Sequence, residues 1–154
     1  MTEPLRCVVD ASIAIKLFVS QPQSDLAINL FAQLEADPPA QFYIPEFFYV
    51  ECANVLWQYV RRTNYPLLQA QQNISRLKLL ALQPTPASKL VSEALETAAT
   101  YSISAYDACY VELSNRLNVP LITADQKLIR ALASQPYAVY SLDTFSVPEP
   151  DNQS

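Results

Sequence analysis

The chain has 154 residues, 51% of them hydrophobic and 16% charged, with no glycine and no histidine, a length that fits one domain. Without glycine there is no backbone able to approach a phosphate as P-loops and G-x-G-x-x-G turns do, and no G-x-S-x-G elbow; without histidine, Ser-His-Asp triads and H-E-x-x-H zinc sites are excluded. Ten Lys and Arg against fifteen Asp and Glu give a formal charge of −5, which argues against charge-driven coating of nucleic acid but not against local phosphate chemistry at an acidic site that holds cations.

In chain order, residues 5–9 form a short apolar, β-branched run that predicts a strand; Asp10 follows directly, and residues 11–18 predict a helix. Leu26, Ile28, Leu30, Phe31 and Leu34 recur at helical spacing within 25–35, and Asp37-Pro38-Pro39 breaks the pattern. Residues 42–44 suit a strand. Pro45-Glu46 predicts the start of a helix running to about Arg62, because proline gives up an N–H that would be unpaired there anyway. A further amphipathic helix is expected between Tyr65-Pro66 and Leu82, with Pro84 and Pro86 closing it.

Residues 88–101 and 104–117 read as two more helices, the second ended by Asn118, which tolerates the left-handed conformation better than most residues. Residues 119–123 suit a strand, the segment after Asp125 a short helix through Ala131, and residues 137–142 a last strand; 147–154 reads as a disordered tail. Strands alternating with helices predict an α/β fold, a mainly parallel sheet covered on both faces, within one domain spanning 1–146.

Cys7, Cys52 and Cys109 are odd in number and far apart, each inside an apolar stretch. They read as buried thiols in a reducing compartment rather than a disulfide framework. The N-terminus lacks the basic and apolar regions of a secretory leader, and no apolar run approaches the roughly 18 to 20 residues that span a bilayer. A soluble, cytoplasmic protein with no membrane association is expected.

Four acids stand out by context: Asp10 after the first strand, Glu51 within the third helix, Asp107 near the start of a late helix and Asp125 after the 119–123 strand. Singly, Asp10 and Asp125 read as helix N-caps, and Asp107, three after Ser104, as the acidic member of a capping box. Glu51 shares a helix face with Phe47, Asn54 and Gln58, so partial burial is expected and needs compensation, to which Asn54 contributes one donor. In an open parallel sheet, ligands collect beyond the carboxyl ends of the strands where strand order reverses. If the four acids converge there, their repulsion requires cations, and Mg²⁺ or Mn²⁺ suits an all-oxygen set with no competing nitrogen or thiolate cluster. Such a site hydrolyses phosphodiesters.

The fragments Val8-Val9-Asp10-Ala11-Ser12 with Lys16 nearby, Ile44-Pro45 followed by Glu51-Cys52-Ala53-Asn54, Tyr106-Asp107-Ala108-Cys109-Tyr110, and Leu121-Ile122-Thr123-Ala124-Asp125 cover nearly the whole chain in order. In this combination the chain resembles PIN-domain proteins of the VapC toxin type. The resemblance implies a three-layer α/β/α fold, Mg²⁺- or Mn²⁺-dependent endoribonuclease activity on RNA, and inhibition by a cognate antitoxin, frequently in dimeric assemblies. It implies Asp10, Glu51, Asp107 and Asp125 as catalytic and metal-binding acids, Asp10 and Asp107 foremost as direct ligands, and Ser12, Asn54 and Thr123 as supporting donors. Two departures are the asparagine at 118, where the family often has glycine, and Gln126, where a further acid would bear on a second metal position.

The alternative reading is a non-catalytic PIN-like interaction module. A two-component receiver needs adjacent early acids and a lysine after the last strand, and a haloacid-dehalogenase-like phosphatase needs an aspartate where Ser12 stands, so both are set aside. Tyr49, Cys52, Ala53, Leu56, Tyr59 and Val60 make the third helix apolar on its outer side as well, which suggests an interface. Arg61, Arg62, Lys127 and Arg130 are candidate phosphate contacts, and Lys16 a candidate neighbour of the site.

Overall fold

The computed structural model describes residues 3–147. The expected disordered tail, apart from Val147, lies outside the described residues. The elements are β1 (Arg6–Val9), α1 (Ala11–Ala14), α2 (Ser24–Ala32), β2 (Gln41–Pro45), α3 (Phe48–Thr63), α4 (Leu67–Leu79), β3 (Leu82–Thr85), α5 (Val91–Tyr101), α6 (Ala105–Leu117), β4 (Leu121–Ile122), α7 (Gln126–Leu132) and β5 (Val139–Tyr140).

The strands form one sheet in the order β3-β2-β1-β4-β5, and every pairing is parallel. Cys7, Val8 and Val9 of β1 are wholly buried, as a central strand covered on both faces must be. Right-handed crossovers put α1 to α4 on one face and α5 to α7 on the other. The contacts agree: Phe31 of α2 meets Phe42 of β2 edge-on at 5.3 Å, while α6 packs across β1, β2 and β4 with α5 against its back. This is the expected three-layer α/β/α arrangement.

The chain moves outward from β1 through β2 to β3, then returns to the other side of β1 with β4, so strand order reverses between β1 and β4. The registers Val8–Leu121 and Val9–Ile122 bring Asp10 and Thr123 out side by side at the carboxyl edge, and the Asp10 N–H donates to the Ile122 carbonyl at 3.0 Å. The crevice where ligands collect in such sheets is thereby lined by the two segments that carry Asp10 and Asp125.

Several expected elements need correction. The helix predicted to begin at Pro45-Glu46 begins at Phe48; Pro45 ends β2 opposite Thr85, and the Glu46 N–H continues the ladder to the Thr85 carbonyl at 2.8 Å. The helix predicted to reach Leu82 stops at Leu79, and β3, which the sequence reading missed, follows. Pro84, expected to close that helix, sits within β3, the edge strand, where a missing N–H costs no ladder bond. The helix predicted over 11–18 holds α-helical geometry only to Ala14 and tightens to a 3₁₀ turn at Ile15–Leu17. Further 3₁₀ turns follow α2 at Gln33–Glu35 and precede α5 at Ala87–Lys89, where the sequence predicts continuous helix over 25–35 and from 88.

With no glycine available, the left-handed positions fall to Gln23, Asn64, Ser102 and Asn118. Asn118 ends α6 at φ 54° and ψ 48°, as its residue type predicts. Cys7, Cys52 and Cys109 are free and buried, and among the described residues no helix is long and apolar enough to cross a membrane.

Candidate active site

Asp10 leaves β1 at the reversal point and is almost fully buried. Its Oδ2 accepts hydrogen bonds from Thr123 Oγ1 at 2.7 Å and Ser12 Oγ at 2.9 Å. Each donor is held in turn: Ser12 Oγ accepts from the Ala124 N–H at 3.0 Å, and Thr123 Oγ1 from the Asp125 N–H at 3.1 Å. Two hydroxyls thus tie the end of β1 to the loop after β4. Asp10 stands at the N-cap position of α1 but its side chain does not cap that helix, so the capping explanation fails for it.

Asp125 caps α7: its Oδ1 accepts from the Lys127 and Leu128 N–H groups at 2.9 and 3.2 Å. Asp107 lies in the first turn of α6, where Ser104 Oγ accepts its N–H at 3.0 Å, so the helix N-terminus provides favourable potential for its charge. Glu51, in the first turn of α3, is half-buried, and its Oε1 accepts the phenolic O–H of Tyr110 at 2.6 Å. Asn54, expected to donate to Glu51, is exposed, and its side chain makes no hydrogen bond among the described residues. The compensation comes from Tyr110 of α6, which the sequence reading left without a role.

The acids sense one another. Burial pushes the Asp10 carboxyl above its usual range, against the Thr123, Ser12 and Ala11 hydrogen bonds, and the charge of Asp125 adds to the rise. Burial pushes Glu51 up to about 7 despite the Tyr110 bond, with Asp10 and Asp107 raising it further. Burial and the charges of Asp10 and Asp125 push Asp107 up to about 6. Asp10 is the hub, coupled to each of the other three. Among the described residues the ion pair is Arg116–Glu93 at 3.4 Å, so no lysine or arginine offsets the quartet.

Among the described residues no three carboxylate or thiol groups form a ready-made metal cage. Asp125 and Glu51 each have an oxygen committed to a protein donor. The donor chemistry nevertheless fits a hard divalent cation. All the coupled acids offer oxygen, and burial holds the neighbouring Cys52 thiol well above its ordinary value, so it stays protonated and does not compete as a soft ligand.

Lys16 is buried, but its Nζ donates to the Pro22 carbonyl at 2.8 Å and to Gln21 Oε1 at 3.4 Å; it fastens the loop before α2. Arg61, Arg62, Lys127 and Arg130 are exposed, and Arg61 donates to Gln58 Oε1 at 2.6 Å. Of the apolar side of α3, Cys52 and Leu56 are buried in the core, and Ala53, Trp57 and Val60 border an apolar groove shared with Leu67 and Ile74 of α4.

The PIN domain family profile matches residues 7–133. Ribonuclease VapC3 of Pyrobaculum aerophilum is 27% identical over 129 residues, covering 80% of this chain and 92% of that protein. Among solved structures, PAE2754 from Pyrobaculum aerophilum is similar with a TM-score of 0.67 and 21% identity, over 91% of this chain and 85% of that one. A toxin-antitoxin complex from Klebsiella pneumoniae is similar with a TM-score of 0.61 and 18% identity, over 92% of this chain and 99% of that one. With the profile spanning most of its length, the chain belongs to the PIN domain family.

Proposed function

We propose that this protein is a divalent-metal-dependent endoribonuclease, the toxin of a toxin–antitoxin pair, acting in the cytoplasm. The observation that carries the reading is the coupling of Asp10 to Glu51, Asp107 and Asp125, partly buried acids drawn from separate elements with no lysine or arginine paired to them among the described residues. Keeping such charges together costs free energy that a structural role does not explain. The similarity to Ribonuclease VapC3 and to the Klebsiella pneumoniae complex supports the substrate class and the antitoxin partner.

Asp10 and Asp107 would hold the cation directly, with Asp125 and Glu51 completing an oxygen set for Mg²⁺ or Mn²⁺. When bound, the ion supplies Lewis-acid polarisation of the phosphodiester and acidifies a water. The protein's part is orientation. Thr123 and Ser12 fix the Asp10 carboxylate from one side, the α7 cap fixes Asp125, and the Tyr110 bond to Oε1 leaves Glu51 Oε2 as the oxygen that would face the cation. Exposed apolar side chains on α3, Val50 and Trp57, leave surface that a protein partner, antitoxin or second copy, would cover.

The test is cleavage of RNA by the purified protein with Mn²⁺, with EDTA, and with Asp10→Asn. Mn²⁺-dependent internal cleavage that falls at least a hundredfold in Asp10→Asn, with an unchanged circular dichroism spectrum, supports the reading. Full activity in that variant removes Asp10 from the mechanism, and no cleavage of any RNA by the wild type overturns the nuclease assignment in favour of a non-catalytic module.

A further inference from the structure

Tyr110 heads the largest side chains that are fully buried. A tyrosine buried for packing alone still has a hydroxyl to satisfy, and this one donates to Glu51 Oε1 at 2.6 Å across 59 residues of sequence. Tyr110 lies three residues after Asp107 on α6, which puts both on adjoining positions of one helix face. Phe47, immediately before α3, meets the Tyr110 ring edge-on at 5.7 Å and the Tyr106 ring at 5.2 Å. The phenol is therefore fixed by its own helix, by core burial and by an aromatic wall at the start of the helix that carries Glu51.

A glutamate has three rotatable side-chain bonds, and left alone Glu51 would swing away from Asp10 and Asp107 toward solvent. The bond to a rigid, buried donor removes that freedom on folding rather than at each turnover. It also differentiates the two oxygens: Oε1 is committed to Tyr110, whereas Oε2 receives no hydrogen bond among the described residues. We propose that Tyr110 is a positioning residue whose phenolic O–H holds Glu51 Oε1 and presents Oε2 toward the quartet. The inference rests on the metal-dependent reading above.

The test is Tyr110→Phe, which removes one oxygen and keeps the ring. Mn²⁺ affinity is measured without RNA by electron paramagnetic resonance of the free ion, and kcat and KM for RNA cleavage are measured separately. Outer partners of metal ligands are typically worth about 10- to 100-fold in affinity or activity. Tyr110→Phe should weaken Mn²⁺ binding about tenfold and lower kcat at least tenfold with KM within twofold, and should add no further loss of Mn²⁺ affinity to Glu51→Gln. Wild-type Mn²⁺ affinity in Tyr110→Phe, or losses that add in full to those of Glu51→Gln, overturns the proposal. Should Tyr110→Phe not fold, Phe47→Leu decides: it keeps the phenol and loosens its wall, so Mn²⁺ affinity several-fold weaker supports the proposal and wild-type affinity overturns it. If the wild type cleaves no RNA, the Mn²⁺ measurements still judge Tyr110, and only the nuclease reading fails.

Discussion

The carboxylates at the sheet edge carry opposing demands that can be read one side chain at a time. Glu51 gains a hydrogen bond from Tyr110, which favours its ionised form, yet burial and the charges of Asp10 and Asp107 outweigh that bond and push its carboxyl from 4.5 up to about 7. Between those two values the folded protein keeps a proton that the unfolded chain has released. Metal-free stability must therefore fall as pH rises through that window and stop changing on this account above about 7. Glu51→Gln removes the contribution. Urea unfolding of both proteins in EDTA should show the variant gaining on the wild type between pH 5 and pH 8, and a gap that does not move with pH would mean that Glu51 ionises as an exposed glutamate does.

What the sequence made visible at this scale was the set of acids, because each follows a strand end or a helix start in a recognisable fragment. Their partners divide by distance. Ser12 is local to Asp10, and Thr123 is found once β1 and β4 are neighbours. Tyr110 stands three residues from Asp107, yet no periodicity on one helix states which acceptor on another helix its hydroxyl meets. Asn54, three residues along the helix from Glu51, is exposed to solvent instead of partnering it.

Among the elements, those with clean signals were legible: β1 as an unbroken apolar run, α6 with its apolar face and an asparagine stop. The missed β3 is instructive in physical terms. Its residues Leu82-Gln83-Pro84-Thr85 show neither alternation nor β-branched enrichment, and only the parallel ladder from Phe42 to Pro45 of β2 gives them strand geometry. The absence of glycine also has a cost here. Ser102 follows α5 at φ 55° and ψ 44°, with the Ile103 N–H closing back to the Ala98 carbonyl at 3.2 Å. Left-handed geometry costs about 1–2 kcal/mol for an L-residue, and glycine's extra unfolded freedom costs about 0.5–1 kcal/mol. Ser102 is exposed, so Ser102→Gly sacrifices no packing and should stabilise by about 0.5–1 kcal/mol, read as a higher urea midpoint at unchanged slope. Asn118→Gly should gain less, since asparagine already tolerates the geometry; equal gains at both sites would show that residue type does not set the strain.

At the scale of the whole molecule, the reversal of strand order between β1 and β4 sets Asp10 and the Asp125 turn at one sheet edge, and the charge of Asp10 reaches Glu51 of α3 and Asp107 of α6 as well. Folding brings their charges together and separates them again on unfolding, so an ion that bridges them binds the folded chain and not the unfolded one. Stabilisation then follows mass action, about 2.7 kcal/mol when the ion is at 100 times its dissociation constant. For a domain near this size each kcal/mol moves the thermal midpoint by about 2–4 °C. Saturating Mn²⁺ should therefore raise the midpoint by about 5–10 °C over the EDTA-treated protein, with no RNA present. Asp10→Asn should unfold in EDTA no earlier than the wild type, because it relieves repulsion at the hub, and should show little response to Mn²⁺. A wild type indifferent to Mn²⁺, or a variant that responds equally, would mean that the crevice gathers charge without holding an ion.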